Sequence, residues 1–524
     1  MLAVHRSRFV HASSSTIVHI ASLGKLIAVA RSNGNIELWT DMYHSQTISG
    51  SPANPIESLV LVKGHEGPRL FAAGLEGVII DYCLTSLGQK YVAHSMGGPI
   101  WCMRLDPTGK TLAIGCEDGA CRLFEITQTG LEFKSSIERQ KSRVMSLAWH
   151  PCGTKLALGS IKGSIRTVCC KTTRTITRMT VDSRSDEKTV IWDLLCLADG
   201  TIVSADSLGN VSFFDFDGAI IRLVKGHEAD VLCLAANAAG TRVFSSGVDR
   251  KILEITNDAG EWIVSGQKRY HSHDVRALFY REQRPYDQLI SGGVDNSLIF
   301  SGPCTEFETM KQQRMPTYPH KAPVSIARNA RLVLARFEDN LKLWMFGTFR
   351  ESGQQVVDHQ RLEGTHHRHL LTVNFKVIWS LTQGKHNIVA SAISDDGKWI
   401  CASDGLENRL YHLVYDEFSI PTVKRVHDLP QIAAAHQILF TRNSQTLVLG
   451  CSDSNVYLIS LDSRSIALEY GFHRDGREPN GVWTRAGITS LATSFDGQWL
   501  VVGDSLNRHS VVSLDTLQVY HCLM

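Results

Sequence analysis

The feature that most constrains this chain is an internal repeat. A tight turn followed by a strand ending in bulky residues reads S-N-G-N-I-E-L-W from Ser32 to Trp39, then recurs as L-E-G-V-I-I-D-Y, E-D-G-A-C-R-L-F, I-K-G-S-I-R-T-V, S-L-G-N-V-S-F-F, V-D-R-K-I-L-E-I, V-D-N-S-L-I-F-S and E-D-N-L-K-L-W-M. Aligned on Gly34, Gly77, Gly119, Gly163, Gly209, Arg250, Asn296 and Asn340, successive copies lie 41 to 46 residues apart. A second landmark precedes these turns: D-P-T-G-K-T-L-A-I-G from Asp106, H-P-C-G-T-K-L-A-L-G from His150, S-D-D-G-K-W-I-C-A-S from Ser394 and S-F-D-G-Q-W-L-V-V-G from Ser494. Each puts glycine at the end of a polar turn, where a hairpin loop needs positive φ, and follows it with the period-two alternation of a half-buried strand.

The Gly109-Lys110-Thr111 of the Asp106 copy looks at first like the end of a phosphate-cradling loop. That loop needs an earlier glycine so that bare backbone N–H groups can wrap the phosphates, and the position is Arg104. Gly109 is therefore a structural turn residue.

Repeats of about 40 to 45 residues built of short strands and Gly/Asp turns are the mark of a WD-repeat β-propeller, each unit a four-stranded sheet. One such sheet cannot bury both faces, so units must stack around an axis. Gly64-His65 and Gly226-His227 agree with this pattern, and Asp249 stands where a turn aspartate follows the second pair. His227 and Asp249 are expected to form a buried hydrogen-bonded pair. Trp39 and Trp344 hold the usual unit-ending position, whereas the literal Trp192-Asp193 precedes its unit's Gly200 turn and is a decoy.

Three further units span Asn387 to Tyr415, Ala434 to Leu461 and Gly487 to Leu517, and the 68-residue step from Asn340 to Asn408 signals an insertion of about 25 residues. The expected fold is all-β: tandem WD-repeat β-propellers, a first ring of seven blades over 1–310 and an incomplete second ring of about four blades over 311–524, with an inserted linker near 348–385. An incomplete ring leaves an unpaired strand edge that something else must cover. The strand Val4 to Val10 reads as an outer strand latching a last blade, and the sequence does not say of which ring.

Composition narrows the function classes. The 524 residues are 43% hydrophobic with a net charge of +2, as in a globular multi-domain protein. Of the 13 cysteines, none form a C-x-x-C pair, and Cys102, Cys116, Cys121, Cys233 and Cys401 fall in predicted strands, where a thiol packs as a small apolar group. That favours a reducing compartment. No stretch reads as a secretory signal or an apolar span of about 18 residues, so no membrane partner is expected.

The residues then become more specific. Val4-His5-Arg6-Ser7-Arg8-Phe9, G-G-P-I-W from Gly97 to Trp101, G-C-E-D-G from Gly115 to Gly119, R-Q-K-S-R-V-M-S-L-A-W-H-P from Arg139 to Pro151, H-D-V-R from His273 to Arg276 and D-D-G-K-W-I from Asp395 to Ile400 resemble the cirhin family, over essentially the whole chain and in order. The resemblance implies a non-catalytic scaffold in the nucleolus, a tandem-propeller subunit of the UtpA (t-UTP) subcomplex of the small-subunit processome. Its implied partners are the other UtpA subunits and the 5′ external transcribed spacer of pre-rRNA, in 18S rRNA maturation, with a link to RNA polymerase I transcription. The chain departs from the family in ending after about eleven units instead of about fourteen and in lacking a lysine-rich tail.

No catalytic residues, cofactor, metal or small-molecule substrate are expected. No nucleophile elbow, zinc-binding pair or phosphate loop is present in the sequence. His366, His367 and His369 lie within four residues of one another and lack a distant ligand to complete a tetrahedral shell, so they read as solvated linker. The candidate RNA- or partner-binding residues are basic ones in loops: Arg139, Lys141 and Arg143 entering unit four; Arg166, Lys171, Arg174 and Arg178 on that unit's outer parts; Lys268, Arg269, His271 and Arg276 entering unit seven. Phosphate contacts need only donors and positive charge along a surface. The competing function is a WD-repeat adaptor outside the nucleolus, such as a ubiquitin-ligase substrate receptor or a cytoskeletal tandem propeller, because the fold does not fix the function.

Overall fold

The computed structural model describes residues 15–523 except 65–66, 85, 182–188, 283–286, 305, 318–322, 338–340, 346–347, 350–354, 357–370, 376–386, 416–420, 472–486 and 505–507. The strand expected over Val4 to Val10, the turn residue Asn340 and the histidines 366, 367 and 369 lie outside the described residues.

The architecture is all-β, and among the described residues eleven four-stranded antiparallel sheets follow one another along the chain. Each is a meander in chain order from inner to outer strand. The inner strands of the first seven are Ile17–Leu23, Ile56–Gly64, Ile100–Leu105, Val144–Trp149, Ile191–Cys196, Val231–Ala236 and Val275–Arg281. Each packs on the next, and Val275–Arg281 packs back on Ile17–Leu23, so the seven sheets close into a ring.

The sequence makes these sheets because a second strand buried on both faces pairs between two others. Thr111–Cys116 and Lys155–Ser160 are buried almost throughout, while outer strands such as Gln89–His94 keep one inward alanine. Cores form between neighbouring sheets: Val60, Phe71 and Ile79 of the second meet Met103, Leu112 and Phe124 of the third. Fully burying side chains of this size stabilises by roughly 1.5–3 kcal/mol each.

The seam between the seventh and first sheets is side-chain packing. Among the described residues no strand is exchanged across it: the seventh sheet takes its outer strand, Lys311–Arg314, from its own unit. Ile17, Ile27, Val29 and the buried Trp39 pack on Ala277, Ile290, Leu298 and Phe300. Arg31, paired with Glu37 at 2.9 Å, donates to the carbonyl of Asn296 at 3.0 Å, and Arg281 donates to the carbonyl of Gly24 at 3.1 Å.

Four more sheets follow, with inner strands Val324–Ala327, Ala390–Ile393, Ala435–Phe440 and Ile488–Thr493, each packed on the next. The eighth sheet takes its fourth strand, Leu371–Phe375, from inside the segment expected as an inserted linker near 348–385, so that segment is not linker throughout: its apolar alternation pairs with the third strand, Leu341–Met345, on which Trp344 lies. Asn387, just ahead of the ninth sheet, ties that sheet to the first. Its side-chain amide donates to the Asn33 carbonyl at 3.1 Å and to Asn35 Oδ1 at 2.9 Å, its backbone N–H donates to the Gly50 carbonyl at 2.8 Å, and its carbonyl accepts from the Ser49 hydroxyl at 2.8 Å.

Candidate functional site

The meander gives the ring two unlike ends. One end, the upper face, carries the loops leading into the inner strands and the turns between second and third strands. The other, the lower face, carries the remaining turns. Gly109 sits in a lower-face turn at φ +74°. The Asp106 carboxylate accepts the Lys110 and Thr111 backbone N–H groups, both at 2.8 Å, and braces that turn. A phosphate cannot enter a turn whose N–H groups are already used.

His227 and Asp249 form the expected pair. The ring Nδ1 donates to the carboxylate at 3.0 Å, and Nε2 lies 2.8 Å from Ser245 Oγ. Burial alone would raise Asp249, but the His227 hydrogen bond and charge and two backbone N–H groups outweigh it and hold the carboxyl below its ordinary value. His271 makes the same arrangement with Asp295 and Ser291, at 3.0 and 2.8 Å, and is buried. It is a second structural dyad, not part of a basic patch. The signal was available: S-S-G-V-D at Ser245 to Asp249 is echoed by S-G-G-V-D at Ser291 to Asp295. Gln140 stands four residues before its inner strand, as His227 does, but faces a unit with Leu158 and Lys162 in place of the serine and aspartate, and its amide is buried without a hydrogen-bond partner among the described residues.

The basic residues do not gather into one patch. Arg139, Lys141 and Arg143 lie on the upper-face loop into the fourth sheet; Lys268 ends the sixth sheet's outer strand, Glu261–Lys268, and Arg269 begins the loop into the seventh, three sheets further round the ring. Lys171 and Arg174 occupy a lower-face turn, and Arg178 is on the outer strand Thr175–Thr180, opposite Arg166. Arg166 is buried and donates to the Glu138 carbonyl at 2.6 Å, so it supplies no surface charge. Lys268 is half-buried, donates to the Glu308 carbonyl at 2.5 Å and lies over the rings of Tyr270 and Phe307. Arg139 and Lys141 are exposed, with Arg139 Nε donating to the Asp118 carbonyl at 2.5 Å.

Sequence reasoning passed over the mouth of the central channel. All seven inner strands bulge at their second residue. A bulge turns a side chain out of the strand's alternation, here at the channel's upper mouth. The residues are Val18, Glu57, Trp101, Met145, Trp192, Leu232 and Arg276. Trp101 donates its indole N–H to Glu117 at 2.7 Å; Arg143 pairs with that carboxylate at 2.8 Å and lays its guanidinium over the Trp101 ring at 5.0 Å. Trp192 donates to Asp230 at 3.0 Å.

Below the mouth a polar network bridges the ring. Arg104 pairs with Asp193 at 3.0 Å and lies 3.3 Å from His19 Nε2; Asp193 also accepts the Leu234 N–H at 3.0 Å. The literal Trp192-Asp193 thus sits inside an inner strand, one residue at the mouth and the other in the network. Enclosure by the sheets and then the Arg104 charge push His19 down from 6.5 to about 3, so its ring is neutral near neutral pH. Enclosure also raises Asp193, against the opposing pull of Arg104 and two backbone N–H groups. The network ties sheets together across the axis. Among the described residues, no group of three or more His, Cys, Asp or Glu could hold a metal.

Radial four-stranded sheets in a closed ring, with histidine–aspartate pairs under the upper turns, define a WD-repeat β-propeller protein. A model of the WD domain, G-beta repeat, matches residues 85–125 and 218–253. The chain is 32% identical over 547 residues to the human U3 small nucleolar RNA-associated protein 4 homolog, an alignment spanning 99% of this chain and 75% of that protein. It is 33% identical to the U3 small nucleolar RNA-associated protein 4 of Schizosaccharomyces pombe over 98% of this chain and 73% of the yeast protein, and 29% identical to that of Saccharomyces cerevisiae over 88% and 61%. The chain belongs to the U3 small nucleolar RNA-associated protein 4 family.

Proposed function

We propose that this chain is a non-catalytic scaffold subunit of the small-subunit processome, binding the 5′ external transcribed spacer of pre-rRNA and partner propeller proteins of the UtpA subcomplex in the nucleolus. The observation that carries the reading is the alignment of nearly the whole chain with proteins named for association with U3 small nucleolar RNA. The domain division proposed with it is a first ring and a second body beyond it, with the boundary expected after 310 moved past Arg314, because Lys311–Arg314 pairs as the seventh sheet's outer strand.

The geometry supports a docking role in two ways. Buried titratable groups of the ring are engaged in holding sheets: His227 and His271 under the turns, Arg104 and Asp193 across the channel. Phosphate contact requires free donors, and the exposed Arg139, Lys141 and Arg269 on the upper face and Lys171, Arg174 and Arg178 elsewhere are placed to supply them. Binding of this kind weakens steeply with salt and reads little sequence. Crosslinking the tagged protein in cells and sequencing the bound RNA tests the reading: spacer reads enriched over a tag-only control support it, and their absence rejects the scaffold assignment in favour of an adaptor elsewhere.

A further inference from the structure

The channel mouth carries one arrangement twice, with opposite charge. In the first copy Trp101 is the bulged second residue of its inner strand, and Arg143 is the residue immediately before the inner strand of the next sheet. In the second copy Trp192 holds the Trp101 position, and Asp230, immediately before Val231–Ala236, holds the Arg143 position. The first copy is complete within the chain: carboxylate of Glu117, indole of Trp101, guanidinium of Arg143.

The second copy has indole and carboxylate only. Asp230 takes the Trp192 indole N–H, which fixes the edge of a half-buried ring. Behind it the buried Asp206 accepts the Leu208 N–H at 2.9 Å and the Asn210 N–H at 2.9 Å, and the neighbouring Asp230 charge adds to burial in raising its carboxyl. Among the described residues no arginine or lysine pairs with Asp206 or Asp230, and none lies over the Trp192 ring. An indole face beside a carboxylate attracts a cation through the ring quadrupole and the charge together. A planar guanidinium satisfies both at once, as Arg143 does at the sister position.

We propose that Trp192 and Asp230 form a receptor for an arginine side chain of a protein partner, docked at the upper mouth of the first ring between its fifth and sixth sheets. Leu232, the half-buried bulged residue of the sixth sheet, gives the partner an apolar contact beside the guanidinium. The site is anionic, so it selects against a phosphate backbone, and it stands apart from the RNA-binding reading.

The purified full chain tests this with a fluorescein-labelled arginine–glycine hexapeptide, its citrulline counterpart and a labelled uridine oligonucleotide, read by fluorescence polarisation. The arginine peptide is expected to bind and the citrulline peptide not. Trp192→Ala and Asp230→Asn should each weaken binding by about tenfold. Asn keeps an acceptor for the indole N–H, so its effect reports the charge. Asp230→Arg places a guanidinium where Arg143 has one and removes the acceptor of the Trp192 indole N–H, so it should abolish binding with a small fall in melting temperature. Equal affinity of the parent, Asp230→Asn and Asp230→Arg for the arginine peptide, or equal binding of arginine and citrulline, overturns the proposal. So does oligonucleotide binding that Asp230→Asn removes.

Discussion

His271 Nδ1 lies 3.0 Å from Asp295 as His227 Nδ1 does from Asp249, each ring held from the other side by a serine hydroxyl at 2.8 Å. A carboxylate only accepts, so each Nδ1 carries the proton. Removing one partner strands the other in a buried site. We expect His227→Ala and His271→Ala each to cost about 1–3 kcal/mol in urea unfolding; unchanged midpoints would show that the dyads do not hold the turns.

His19 gives a pH dependence with a definite sign. Its folded pKa lies below its unfolded value, so the unfolded chain binds the extra proton between 6.5 and about 3. Stability is full above 6.5 and falls as pH drops through that window. His19→Gln should flatten the melting temperature between pH 5 and 7, before most carboxylates titrate. Equal slopes for parent and variant in that range refute the assignment.

Two glycines separate strain from collision. Gly109 has φ +74° and open space where a Cβ would go, whereas a Cβ on Gly119, at φ +83°, would lie 2.2 Å from the Gln140 carbonyl oxygen. Gly109→Ala should cost about 1–2 kcal/mol from backbone strain alone, Gly109→Val more because its branched side chain resists positive φ, and Gly119→Ala more than Gly109→Ala. Thermal melts of the three variants check the order.

For the candidate RNA contacts, Lys141 is the discriminating residue. Reversing Arg143 also breaks its pair with Glu117 and its stack on Trp101, so the triple reversal of Arg139, Lys141 and Arg143 should lower both particle association and melting temperature. Lys141→Glu alone should melt like the parent and reduce the salt slope of RNA binding by about one. Cosedimentation of both variants with pre-ribosomes at parental levels would remove this loop from the RNA surface.

Asn387 ties the ninth sheet to the first. Asn387→Ala deletes two side-chain hydrogen bonds and leaves Asn35 Oδ1 to the Gly50 N–H. We expect faster hydrogen exchange at Gly50 and about 1–3 kcal/mol of lost stability, with no change in the seam between the seventh and first sheets. Unaltered exchange at Gly50 would mean that the joint does not depend on this amide.

The fold was legible because its information is local and repeated. A glycine at φ +74° and a strand of alternating apolar residues leave the same trace each time, and the His227–Asp249 pair follows from a motif that sits in one sheet. The channel mouth was not legible. Trp101, Arg143 and Glu117 come from two sheets, and only the bulge at the second residue of each inner strand brings them together. Arg166 and His271 looked like surface charge because a basic residue reads the same in one dimension whether its side chain meets solvent, a carbonyl or a carboxylate. The scatter of Arg139 and Lys268 around the ring likewise needed the order of sheets about the axis.

The seventh sheet is built wholly from residues that precede 315, and it rests directly on Ile17–Leu23. Synthesis from the N-terminus therefore delivers every piece of the described ring before the later sheets leave the ribosome. The nascent chain can seal one propeller early and hide its apolar strands. What emerges afterwards assembles against a finished surface, with Asn33, Asn35 and Gly50 already in position to receive Asn387.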